Sequence, residues 1–403
     1  MARLPPFRIE QWMDEYQPTA KHDLGETCSA SLSIDGLLAL SENKDATASD
    51  ILNSAAIQDY GEIRGTTALR NNLSRLYSTK VGTPLAPDNI LITPGAIAAN
   101  HLVFYALIKD GDHVICHWPT YQQLVTVPES LGAVVDKWHS KPHDNWLPDF
   151  EELKAMVKDN TKLIVLNNPQ NPTGAVLPKS LLVKIIDFAE SKGIILLSDE
   201  VYRPLFHGIS PMDKDFPPSI LSMGYNNTIA TGSLSKAYAL AGIRTGWIAS
   251  RNKDVIEKCQ LTRDYTTISV SKLDQAVASF ALSPDTIHAL LSRNIQLAKT
   301  NLELLDRFIV KHDEFCSYVK PVAGTTAFVK FERDGKPIDA VALCKAVHEK
   351  AGVLLLPGDL GFGDEFKGYV RFGYVNQTAI VKDGLEELRK FMRKEFDDLP
   401  VCE

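Results

Sequence analysis

Short apolar runs alternate with helix-length amphipathic stretches through the middle of the chain. Runs at 89–93, 113–118, 162–168, 194–199, 228–233 and 245–250 predict strands. Between them "AIAANHLVFYALIKDG" and "SLLVKIIDFAESKG" predict helices, the second ending at Gly193. Strands that are apolar throughout, with helices between them, indicate a mostly parallel α/β sheet covered on both faces. Ligands in such sheets bind just beyond the carboxyl ends of the strands. From about residue 285 the texture changes. A long helical pattern, "IHALLSRNIQLAKTNLELLDRFIV", precedes strand-like "TAFVKFE" and "YVRFGY" and an amphipathic "VKDGLEELRKFMRKEF". The pattern predicts a large α/β domain over 50–285 and a smaller α+β domain over 286–403. The turn-rich residues 1–49 form an N-terminal arm that completes the smaller domain.

Charge narrows the function classes. Lys and Arg number 43 against 50 Asp and Glu, for a net charge of −7. No Lys/Arg-rich run or basic amphipathic helix marks a nucleic-acid or membrane-surface partner. No stretch approaches bilayer-spanning length, and the start lacks the apolar core of a signal peptide. Six cysteines are scattered singly with no CxxC, which reads as reduced thiols in a cytoplasmic protein. No His or Cys cluster has metal-ligand spacing.

Five places carry candidate chemistry, each at or beyond a predicted strand end. In "TGSLSKAYALAGIRTGW", Lys236 offers a primary amine, nucleophilic once burial or neighbouring positive charge favours its neutral form. Ser233, Ser235 and Arg244 make a natural cradle for a phosphate. A mobile surface loop is an equal reading of that segment alone. In "SDEVY", Asp199 closes a strand and serves as a base, a metal ligand, a partner for a ring nitrogen, or simply a helix N-cap. "NNPQNPTG" is a rigid turn from which Asn171 reaches a ligand oxygen, or an ordinary loop. "TPGAIAAN" is a strand–Gly–helix junction whose free N–H groups suit an anion, or a plain tight turn. Arg371 in "YVRFGY" is a carboxylate clamp or an exposed edge arginine.

Taken together, "NNPQNPTG…SDEVY…SLSKAYALAGIRTGW…YVRFGY" resembles the class I/II aminotransferases, pyridoxal-phosphate enzymes of fold type I. The likeness includes "YGEIRGTTALRNNLSRLY" (60–77), "GTTAFVKF" (324–331) and "LLPGDLGFG" (355–363). The resemblance implies that the large domain binds pyridoxal 5'-phosphate and that Lys236 holds it covalently and shuttles the α-proton. It implies that Asp199 keeps the pyridine nitrogen protonated and that Asn171 and Tyr202 hydrogen-bond the ring oxygen. Tyr121 would stack on the ring face, with Trp118 competing for that role. The amides of Ala96 and Ile97, with Ser233, Ser235 and Arg244, would hold the phosphate. Arg371 would take the substrate α-carboxylate, with Asn171 beside it. Tyr60 would reach a neighbouring subunit's phosphate, which implies a homodimer. The expected reaction moves an amino group between an α-amino acid and a 2-oxo acid.

The sequence departs from the family at residues 26–33. "ETCSASLS" stands where many members carry a Gly-x-Pro-like turn on the substrate side. A same-fold lyase, cyclase or oxidase therefore stays open beside transamination, and a non-catalytic amino-acid or cofactor sensor stands as a third reading. Arg203 and Arg263 are candidates for a second, side-chain-binding arginine, but a helix-surface salt bridge is the preferred reading of each.

Overall fold

Seven strands build the central sheet of the computed structural model, which describes residues 4–78 and 84–402. Residues 1–3 and 403, the ends of the two outer predicted segments, lie outside the described residues. The strands are β1 (Ile90–Thr93), β2 (His113–Trp118), β3 (Val134–His139), β4 (Thr161–Asn167), β5 (Ile195–Asp199), β6 (Thr228–Ser233) and β7 (Gly246–Ser250). Their spatial order is β1-β7-β6-β5-β4-β2-β3. Strands β6, β5, β4, β2 and β3 pair parallel, while β7 runs antiparallel to both β1 and β6. The direction of β7 was not legible, because a strand buried on both faces reads as one apolar run either way. β3 went unpredicted: it lies at the sheet edge and only Trp138 is fully buried along it.

A second, antiparallel sheet contains Cys316–Tyr318, Thr326–Arg333, Lys336–Pro337, Leu356–Pro357 and Tyr369–Gly373. Phe331, Val370 and Phe372 bury one face against Leu343 and Val347 of helix Ala340–Ala351 and Leu385 and Leu388 of helix Thr378–Glu395. The N-terminal segment joins this unit. Helix Arg8–Tyr16 buries Ile9 and Trp12, and the Trp12 indole donates to the Leu355 carbonyl at 2.9 Å. His22–Asp23 then pairs parallel with Val353–Leu354. Farther on, Leu37 and Ile51 pack instead with Leu69, Leu73, Ile92 and Trp247 beside the large sheet.

Helix Pro284–Lys311 links the two halves. Its 28 residues span about 42 Å at 1.5 Å each. Leu290 near its start belongs to the core beside the large sheet, and Leu302, Leu305 and Phe308 to the core of the second. Among the described residues no helix is long and apolar enough to cross a membrane.

Candidate active site

Four strand ends converge. Asn167 ends β4, Asp199 ends β5 and Ser233 ends β6, while Thr93 ends β1 just before helix Ala96–Leu107. Because β7 is reversed, its first residue, Gly246, pairs with both Thr93 and Ser233. Arg244, two residues earlier, thereby joins the same sheet edge. A cavity of about 380 Å³ opens there. Every predicted site residue except Tyr60 lines it. Tyr60 is 80% exposed and lies beside Ser269–Lys272 instead.

One end of the cavity is built for an anion. Gly95 precedes helix Ala96–Leu107 with a φ of +83°, a conformation glycine adopts without a Cβ clash. Among the helix-start amides with no intrahelical acceptor are those of Ala96 and Ile97, and the helix dipole favours negative charge at that end. Ser233 Oγ and Ser235 Oγ lie 2.8 Å apart, and Arg244 Nη1 donates to Ser235 Oγ at 3.4 Å. Gly246 permits this crowding, since a Cβ there would lie 2.4 Å from the Gly95 carbonyl carbon and 2.6 Å from the Ala96 nitrogen.

Asp199 stands at the centre. Its Oδ2 accepts from Asn100 Nδ2 at 3.0 Å and its Oδ1 from the Val201 amide at 3.1 Å. Burial pushes its carboxyl up to about 6, partly offset by those two donors. Asn100, itself buried, is fixed by Thr231 Oγ1 donating to its Oδ1 at 2.6 Å. Sequence reasoning missed Asn100, the one polar residue on the buried face of its helix.

Lys236 Nζ donates to Thr27 Oγ1 at 2.7 Å, with Cys28 Sγ at 3.3 Å and Glu26 Oε1 at 3.4 Å. The sequence led us to expect burial or positive neighbours favouring the free amine. Burial does act in that direction, but the acidic groups around it, Cys28, Glu26 and two tyrosines, of which Glu26 alone is ionised at neutral pH, outweigh it and hold the ammonium above the ordinary lysine range. Burial likewise opposes ionisation of Glu26. The Lys236 charge and the Thr27 and Cys28 amides, at 2.6 and 2.7 Å, overcome it and keep Glu26 well below the usual carboxylate range. The Cys28 thiol is pushed up to about 11, chiefly by burial, and stays neutral.

The divergent 26–33 segment is thus part of the site. Ser29 N–H donates to the Lys236 carbonyl, Leu32 N–H to Ala239 and Ala30 N–H to Val375, strapping the segment between the lysine loop and the second sheet. Arg371 projects from the middle of its strand and is 3% exposed, not an exposed edge residue. Its Nη2 donates to the Gly25 carbonyl at 3.0 Å and its Nη1 to Asn171 Oδ1 at 3.4 Å. Its buried Nε has no partner among the described residues. Tyr121 lines the cavity and its hydroxyl donates to Glu10 Oε1 at 2.6 Å. Trp118 does not line it; its indole N–H turns to Glu365 Oε1 at 2.7 Å. Neither Arg203 nor Arg263 reaches the cavity. Arg203 pairs with Glu200 at 3.3 Å, and Arg263 is fully buried with Nη1 on the Ile92 carbonyl.

This donor set suits pyridoxal phosphate. The crowded helix start with two serines and an arginine matches a phosphate, Asp199 a protonated ring nitrogen, and Lys236 an aldehyde. The Arg371 guanidinium, which lines the same cavity, suits a carboxylate.

Comparison with known proteins points the same way. The family described as "Aminotransferase class I and II" matches residues 34–380. The chain is similar to the structure of a PLP-dependent aminotransferase from Streptococcus suis, with a TM-score of 0.87 and 37% identity over 98% of this chain and 99% of that one. It is 30% identical over 339 residues to a (5-formylfuran-3-yl)methyl phosphate transaminase of Methanocaldococcus jannaschii, covering 83% of this chain and 84% of the relative. It is 28% identical over 355 residues to a capreomycidine synthase of Streptomyces vinaceus, covering 88% and 86%. The match over most of its length, to a family whose cofactor the cavity fits, makes this chain a member of the class I and II aminotransferases, pyridoxal-phosphate-dependent transferases.

Proposed function

We propose that the chain moves an amino group from an α-amino acid to a 2-oxo acid, with Lys236 as covalent anchor and proton carrier. The observation that carries this reading is one cavity shared by the Lys236 amine, the Asp199 carboxylate, the Arg371 guanidinium and an anion-binding helix start. Pyridoxal phosphate, when bound, supplies an aldehyde that links to amines and a ring that takes up electrons from the substrate α-carbon.

The chain's residues divide the remaining work. Ala96 and Ile97 amides, Ser233, Ser235 and Arg244 bind the phosphate. The Asp199 carboxylate accepts a hydrogen bond from the ring N–H, and Asn100 keeps that carboxylate oriented. Asn171 and Tyr202 hold the ring oxygen, and Tyr121 covers a ring face. Arg371 grips the α-carboxylate, with Asn171 beside it, which orients the α-C–H toward Lys236. Lys236 Nζ would take that proton and deliver it to the former aldehyde carbon of the cofactor, on the far side of the linking nitrogen. Thr27 Oγ1, 2.7 Å from Nζ, holds the amine in line.

The large domain over 50–285 carries the cofactor, and the segments 1–49 and 286–403 close the substrate side. Tyr60 extends to the phosphate of a partner subunit in a homodimer, a reading supported by its exposure beside Ile57 and Ile63. Six unpaired cysteines among the described residues support a reducing compartment, the cytoplasm. A same-fold synthase or cyclase is the second reading, favoured by the contact of the divergent 26–28 segment with Lys236.

Borohydride reduction of the purified yellow protein, followed by peptide mapping, tests the anchor. The cofactor label belongs on Lys236. A label on any other lysine removes the assignment.

A further inference from the structure

Beyond Lys236 the cavity is walled by helix Arg8–Tyr16 and by residues 25–28. Ile9 and Met13 give this part an apolar side, and Glu10, Gln17 and Glu26 give it a polar one. Its charge is lopsided. Among the described residues lining the cavity, the cations are Lys236, Arg244 and Arg371, and each has a task elsewhere: the cofactor aldehyde, the phosphate and the α-carboxylate. Among the described residues no further arginine or lysine lines the walls that a substrate side chain would meet. Glu10 and Glu26 do.

Glu26 is held in place by its own backbone. Its Oε1 accepts from the Thr27 and Cys28 amides, and its Oε2 has one long contact, 3.5 Å from Gln17 Nε2. That leaves Oε2 room for a short charge-assisted bond. Its neighbour Lys236 approaches only to 3.4 Å. Glu10 Oε1 takes the Tyr121 hydroxyl. An amino acid in this cavity has an independent anchor in the Arg371 guanidinium, which lines it.

From this juxtaposition we infer that the side chain of the amino-acid substrate is cationic, an ammonium or guanidinium on an apolar stem. The stem packs on Ile9 and Met13 and the charge meets Glu26 and Glu10. A carboxylate side chain would face two carboxylates with no free cation. A wholly apolar one would bury Glu26 Oε2 with only its long contact to Gln17, at a desolvation cost that a cationic side chain removes. The inference rests on the transamination reading above.

The test pairs turnover with binding on the holoenzyme. Ornithine, lysine and arginine are compared with norleucine, glutamine and glutamate. The cationic members exceed norleucine and glutamine in kcat/KM by about 10- to 100-fold, the range of a hydrogen bond to a charged group. Glu26→Gln shrinks that ratio by a similar factor, and Glu10→Gln, on an exposed helix face, shrinks it less. Calorimetry supplies a readout without turnover: ε-aminocaproate binds more tightly than caproate, and Glu26→Gln erases the difference. A neutral substrate equal to its cationic counterpart, or a ratio untouched by both substitutions, overturns the inference while leaving transamination standing. If no amino acid of any class is converted, the transamination reading falls, and the caproate pair still decides whether this cavity selects a cation.

Discussion

Burial pushes the Asp199 carboxyl up to about 6, from an ordinary value near 4. Between those values the native protein binds more protons than the unfolded chain, so this group's contribution to stability falls as pH rises through the window. Above pH 6 the cost is complete, roughly 2–3 kcal/mol. Asp199→Asn, stripped of cofactor, should therefore melt higher than the stripped wild type at pH 7, with the gap closing below pH 4. Thermal melts across pH check this, and a pH-independent gap contradicts it. With cofactor bound the same substitution should cost orders of magnitude in turnover, because the ring loses its charge partner. Arg371→Ala should lose about 2–5 kcal/mol of kcat/KM toward α-amino acids, the range for truncating one partner of a buried charge pair. The spectrum of bound cofactor should not change. Lys236, Asp199, Asn171 and Arg371 were legible because each stands in a motif at a strand end or within a strand. Asn100 was not, and Thr27 and Glu26 were singled out only as part of the 26–33 segment, with no contact to Lys236 foreseen. Asn100 matters only because helix Ala96–Leu107 packs over β6 and β7 and so brings its side chain to Asp199 at the end of β5, and Thr27 and Glu26 only because a distant segment folds back over Lys236.

At the scale of elements, two close approaches hold the site together. The strand carrying Arg371 ends at Gly373, where an added Cβ would lie 1.8 Å from the Glu26 carbonyl oxygen. Gly373 N–H also donates to the Leu24 carbonyl at 2.7 Å. The strand and the N-terminal strap thus meet backbone to backbone, which a side chain forbids. Gly373→Ala should push the strap off, lowering the melting temperature and raising KM for amino acids together, measured on one preparation. A change in KM below twofold contradicts that coupling. Six of the seven large-sheet strands were visible as apolar runs. β3 was hidden by its half-exposed edge position, and helix Ala340–Ala351 by a pattern that did not stand out from its surroundings. The pairing of His22–Asp23 with Val353–Leu354 joins residues more than three hundred positions apart, which no local pattern encodes.

At the scale of the whole molecule, Ile57, Tyr60, Ile63, Tyr265 and Ile268 are exposed, large and apolar. Segments 57–61 and 269–272 are tied together, with Lys272 Nζ donating to the Ile57 carbonyl and Asp59 Oδ1. Such a surface suits a second copy of the chain. Sedimentation should give a dimer, and Tyr60→Ala should release cofactor faster on dilution without altering its spectrum. A monomer with full cofactor occupancy contradicts both. Amino transfer through Lys236 is open to a stoichiometric half-reaction. Holoenzyme is mixed with a reactive amino acid and no 2-oxo acid, then denatured, and its products are quantified. The released cofactor should be pyridoxamine phosphate, with one equivalent of 2-oxo acid formed, and adding a 2-oxo acid before denaturation should restore the aldehyde. Consumption of the amino acid with the cofactor still recovered as pyridoxal phosphate would contradict it.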